Sequence, residues 1–163
     1  MANLEAHQAA VPAGTQISEQ LIEAFRRVPA EVLETMFFAE AVAGTCSHDW
    51  FGEAVSGRVL FAGSHTGEMR LSVSLDAADS IASAFLGLEP CELTPALRVQ
   101  VVLELANILC GAVLSRLWPE SKVALGAPEM LLQESLFAAA LHRCFELPEG
   151  KLALWVDWST PAE

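Results

Sequence analysis

Between Thr94 and Pro119 the chain is apolar almost throughout, yet Glu104 and Asn107 stand three residues apart in the middle of it. At about 100° per residue, positions three and four apart share one face of a helix. Gln100, Glu104, Asn107 and Gly111 therefore form a single narrow polar stripe. Leu97, Val101, Leu105, Ile108, Leu109 and Ala112 take the opposite side, where a core lies. Gly111 costs such a helix roughly 1 kcal/mol against Ala. Standing one turn beyond Asn107, it removes a side chain from the stripe and opens it to another backbone. Thr94 suits the N-cap, Pro95 the first helical position, and Pro119 lies just past the end.

The remaining segments predict an α+β domain, an antiparallel sheet with long helices packed on one face. Residues 1–14 read as a flexible lead-in and 15–163 as a single domain. Ile17, Leu21, Ile22 and Phe25 recur at helical spacing over 17–27, and Pro29 suits the first turn of a second helix reaching Ala43, with Gly44 as its stop. Strands are expected over 55–61 and 68–75, joined by the turn at 63–67. The second alternates cleanly, with Met69, Leu71, Val73 and Leu75 inward and Glu68, Arg70, Ser72 and Ser74 toward water. Asp76 is placed to cap a short helix ending near Gly87. A short strand at 122–125 follows the long helix, then a hairpin of 139–147 and 151–158 turning at Pro148, Glu149 and Gly150. Trp155 and Trp158 fall on opposite faces of that last strand.

A net charge of −12 argues against nucleic acid and anionic membrane surfaces, which call for basic patches. Glu, Arg, Asp or Gly interrupts each apolar run before the roughly 20 residues of a membrane span. The first residues lack the charged and apolar regions of a signal peptide, so a cytoplasmic location is expected. Cys46, Cys91, Cys110 and Cys144 are widely spaced and read as free, mostly buried thiols. Neither they nor His7, His48, His65 and His142 show metal-ligand spacing, so no metal is expected. Ser64, His65 and Asp49 do not suggest a triad, and no phosphate-binding loop is present.

The helix carrying Glu104-Leu105-Ala106-Asn107 resembles the signature helix of the CheC/CheX family of chemotaxis phosphatases, whose members carry Glu-x-x-Asn there. Residues 31–38 resemble the first long helix of the CheX-like branch, and 61–63 with 67–71 its first hairpin. The family is built as a pseudo-repeat, and residues 32–37 of this chain overlay 102–107. Phe37 then stands where a first Asn would be, and a phenyl ring cannot orient water. The first half is expected to be silent, nearer CheX than CheC.

The resemblance implies a phosphatase acting on the phosphoaspartate of a CheY-like response regulator. Asn107 would position the attacking water, and Glu104 would pair with the regulator's lysine. Gln100 and Gly111 would border the partner. Mg²⁺ would come with the receiver domain, and the protein would have no cofactor of its own. A homodimer formed through the sheet, at strand 151–158 or its neighbour, is also implied. Without the resemblance, Glu104 reads as a solvated helix residue and Asn107 as an amide bonded to backbone. The alternative within the same fold is a non-catalytic CheC-like scaffold of a chemotaxis, flagellar-switch or other two-component pathway.

Overall fold

In the computed structural model, which describes residues 19–44, 53–132 and 141–159, three α-helices pack on one face of a seven-stranded antiparallel sheet. The chain runs α1 (Glu19–Phe37), β1 (Val42–Gly44), β2 (Ala54–Gly63), β3 (Thr66–Ser74), α2 (Leu75–Leu86), α3 (Pro95–Leu117), β4 (Val123–Leu125), β5 (Glu129–Leu131), β6 (Leu141–Leu147) and β7 (Gly150–Ser159). The strand order is β1-β6-β7-β3-β2-β4, with β5 also on β2. Exchanging β1 with β4, β2 with β6 and β3 with β7 turns this order into its own reverse. Each half supplies a long helix, a short strand and a hairpin, which is the expected pseudo-repeat. Helix α2 lies between the halves.

The core is built from alternate strand positions. Val55 and Val59 of β2, Met69, Leu71 and Val73 of β3, and Leu152, Leu154 and Val156 of β7 are buried beneath the helices. Gly57 of β2 has no side chain because α3 passes close above it: a Cβ there would lie 2.8 Å from Leu103 Cδ2. The opposite face is not the wet one expected. Ser72 is 1% exposed and Ser56 6%, and their hydroxyls meet at 2.9 Å across β2 and β3. Alternation separates the two faces of a strand but does not say what covers each.

Residues 19–37 form one helix instead of two. Pro29 sits inside it, although an internal proline deletes a backbone hydrogen bond and crowds the carbonyl four residues back, at about 3 kcal/mol. Leu21, Phe25, Val28, Leu33 and Phe37 make a buried stripe running through the proline, and that burial outweighs the local cost. The helix stops at Phe37, short of Ala43. Phe38 turns to φ 55°, and the Ala39 N–H donates to the Leu33 carbonyl at 3.0 Å. Val42–Gly44 is then free to pair with β6.

Smaller differences have local causes. Leu75 begins α2 instead of ending β3, and Asp76 lies in the first turn while Ser74 holds the cap position. Ser74 Oγ accepts instead from the Lys151 N–H at 3.0 Å, tying α2 to β7. Gly87 ends α2 at φ 66°, a conformation costly for residues with a Cβ. Strand β5, not anticipated, is held by Arg58, which meets Glu129 at 2.9 Å. Strand β7 hydrogen-bonds to β3 on one side and β6 on the other, so it is no edge. Strand β6 is likewise flanked by β7 and β1; the edges among the described residues are β1 and the β4–β5 pair.

Helix α3 is long and apolar enough to cross a membrane, contrary to the sequence expectation. Its apolarity is accounted for by packing, since Val102, Leu105, Leu109, Cys110 and Val113 are all fully buried. Cys110 is a free thiol that burial pushes up to about 12, and Cys91 is free and exposed. Cys144 is disulfide-bonded, which corrects the expectation of free thiols throughout. Sequence spacing alone does not report which thiols come together. Cys46, the 1–14 lead-in and the start of the strand expected from residue 139 lie outside the described residues.

Two histidines are held below the ordinary value. Burial does this at His65, whose ring stacks on Trp118 at 3.7 Å and whose Nδ1 is enclosed without a partner. Burial and then the charge of Arg143 do it at His142. A histidine depressed by folding favours the native state above its unfolded value of about 6.5 and loses that contribution as pH falls through the depressed one. The urea midpoint is expected to drop as pH falls from about 6.5 toward the depressed values, less steeply in His142→Gln. A wild-type midpoint that stays flat across this range would contradict the assignment.

Candidate functional site

Helix α3 begins as its sequence dictates. Thr94 Oγ accepts from the Leu97 N–H at 3.2 Å, and Pro95 fills the first position, where no hydrogen bond is lost. Along the helix, Gln100 and Glu104 are exposed while Asn107 and Gly111 are half-buried, so the polar stripe is real. Val101, Leu105 and Leu109 are buried as expected, but Leu97, Ile108 and Ala112 are only half-buried. Val102, Ala106, Cys110 and Val113 are buried instead, because α3 is gripped by the sheet and by the neighbouring helices together.

Glu104 and Asn107, three residues apart, have Cβ atoms about 5–6 Å from each other. No side-chain hydrogen bond or ion pair to another described residue engages either of them. A cleft of about 370 Å³ opens beside the stripe, lined by Phe85, Leu86, Gln100, Leu103, Glu104 and Pro128. Helix α2 provides one wall and the loop before β5 the other. The Arg98 guanidinium meets the Asp79 carboxylate at 2.5 Å and holds α2 against α3. Phe85 and Leu86 were not visible as site residues in the sequence; nothing short of the α2–α3 packing brings them to Glu104.

Gly111 faces β4. A Cβ there would lie 3.6 Å from Leu125 Cδ1, an ordinary contact. Gly111→Ala is therefore expected to raise stability, by up to about 1 kcal/mol, through helix propensity alone. Were partner approach to require the bare backbone, the same variant would lose activity while gaining stability. Denaturant midpoint and turnover, measured on one preparation, separate the two effects.

A larger cavity of about 560 Å³ lies between the start of α1 and the end of α3, lined by Glu19, Arg27, Arg116 and Trp118 among others. Arg116 is nine residues beyond Asn107, roughly 14 Å along the helix, so this cavity is remote from the stripe. Ser64 and His65 lie at the β2–β3 turn, His65 stacked on Trp118, and Asp49 is outside the described residues. Among the described residues, no three His, Cys, Asp or Glu side chains gather as a metal site.

The architecture is shared with solved structures. CheX from Vibrio vulnificus superposes with a TM-score of 0.70 at 18% identity, over 89% of this chain and 99% of that one. CheX in a CheX–CheY–BeF3–Mg²⁺ complex from Borrelia burgdorferi gives 0.65 at 21% identity, over 85% and 97%. FliY from Thermotoga maritima gives 0.59 at 17% identity, over 82% and 83%. No curated protein matches the sequence. The family profile described as chemotaxis phosphatase CheX matches residues 55–145, from β2 through α3 and into β6. That span exceeds half of the 163 residues and contains the whole Glu104–Asn107 stripe, so the chain belongs to the CheX family of chemotaxis phosphatases.

Proposed function

We propose that this protein hydrolyses the phosphoaspartate of a CheY-type receiver domain. The carrying observation is the outward stripe of α3: a carboxylate and a carboxamide one turn apart, neither held by a side-chain hydrogen bond or ion pair among the described residues, with the carboxylate lining a cleft. An acyl phosphate is reactive already, and its hydrolysis mainly lacks a water held in line with the phosphorus. The Asn107 carbonyl accepts a hydrogen bond from that water, and its NH2 donates nearby. The amide is neutral and does not repel the phosphoryl group. Glu104, exposed one turn away, offers a charge-assisted bond to a lysine on the receiver. A solvated carboxylate is a poor base at neutral pH, so its work is docking.

Mg²⁺ in this reading belongs to the receiver's own site and enters with the substrate. Support comes from the family and from a relative whose complex contains CheY, BeF3 and Mg²⁺. A cytoplasmic location accompanies the reading. The test is a time course of phosphate loss from phosphorylated CheY-type receivers with and without the protein. Accelerated loss is expected. Inertness toward every receiver tried sinks the proposal and favours the scaffold reading, which FliY's shared fold keeps in view.

A homodimer is also proposed, with its contact moved from β7 to β1 or to the β4–β5 edge, where backbone groups lack a strand neighbour among the described residues. Light scattering at micromolar concentration should return twice the 17.5 kDa chain mass. A stable monomer mass removes the claim.

A further inference from the structure

In the second half of the pseudo-repeat the fourth residue of the motif is Asn107; in the first half it is Phe37. The Phe37 ring is 1% exposed and stacks on Phe85, with centroids 4.9 Å apart and planes 19° apart. Phe85 is itself 38% exposed and walls the cleft that holds Glu104. The site lost from one half thus underlies the wall of the site kept in the other. We propose that Phe85 is the apolar anchor by which the cleft grips the receiver domain, and that Phe37 is a positioning residue holding its ring in place. The inference rests on the phosphatase reading and deepens it.

The lining favours this occupant. Glu104 is its single ionisable group among the described residues, set among Phe85, Leu86, Leu103 and Pro128. A free anion such as phosphate gains nothing from that carboxylate. A second copy of a chain carrying −12 brings unfavourable charge to it. A surface presenting a lysine beside an apolar side chain satisfies both features, and a receiver's active-site face supplies the lysine. A half-exposed aromatic ring backed by a stacked partner loses little freedom on binding, which is the character of an interface anchor.

The test uses a CheY-type receiver in two forms, phosphorylated for turnover and beryllofluoride-activated with Mg²⁺ for direct binding. Phe85→Ala should raise both KM and Kd about tenfold, the loss of one anchor, with kcat nearly unchanged. Phe85→Leu should recover most of the affinity. Phe37→Leu, which keeps most of the apolar volume but loses the ring stack, should raise KM by a smaller factor while remaining folded by circular dichroism. A folded Phe85→Ala with wild-type KM and Kd overturns the inference and leaves the phosphatase reading standing. Wild type that binds without hydrolysing overturns the phosphatase reading, and the Kd series still judges the anchor. Wild type that neither binds nor hydrolyses overturns both.

Discussion

Asn107→Ala is expected to slow receiver dephosphorylation about a hundredfold, the scale on which a misplaced reacting group costs rate. The fold should be untouched. Asn107 is half-buried on the outward stripe, and no side-chain partner among the described residues is lost with it. An interaction made chiefly in the transition state lowers kcat without weakening binding. Glu104→Ala should behave differently: a carboxylate that docks a cation is felt first in KM, with a smaller loss of turnover from misalignment. The pair of variants therefore separates water positioning from docking. The measurement is initial rate against receiver concentration for wild type and both variants, with circular dichroism on each. A folded Asn107→Ala that matches wild type would show that the amide is not the positioning group.

Phe37→Ala is expected to destabilise the protein by about 3–5 kcal/mol, the range for removing a large aromatic from a filled core. Phe37 is 1% exposed, and the deletion also breaks its stack on Phe85. Most domains have only about 5–15 kcal/mol to lose, so the variant will sit near the limit of folding at ambient temperature. Phe37→Asn should be no better, because it buries an amide without a partner, and it should create no second active site. Equilibrium urea unfolding decides the matter. A midpoint within error of wild type would mean that the ring is not the core element it is taken for here. The contrast with Asn107→Ala is the useful one: at matching positions of one repeat, the first variant costs stability and the second costs rate.

The extent of α3 and the stripe on it were legible in sequence because both follow from short-range rules. A cap at Thr94, a proline at 95 and a helical period act within one or two turns, and each appears in the structure as expected. The β2–β3 and β6–β7 hairpins were legible for the same reason, since alternation and turn residues specify local pairing. The pseudo-repeat was readable from residues 32–37 and 102–107, and the palindromic strand order confirms it.

Where several elements compete for one space, the local rules gave way. Pro29 reads as a helix start, yet the apolar stripe from Leu21 to Phe37 carries the helix through it. Strand 151–158 or its neighbour is expected at a dimer edge, yet β7 lies inside the sheet, where order depends on long-range pairing. Ser72 reads as wet and is 1% exposed. The sequence by itself determined which helix carries the polar stripe and that Gln100 and Glu104 face outward from it. Only the tertiary structure decided what surrounds them: Phe85 and Leu86 on one side, Pro128 on the other, and Phe37 beneath. The reason is physical. A helix face is set by contacts three and four residues apart, whereas the walls of a cleft are set by packing between segments that no local pattern connects.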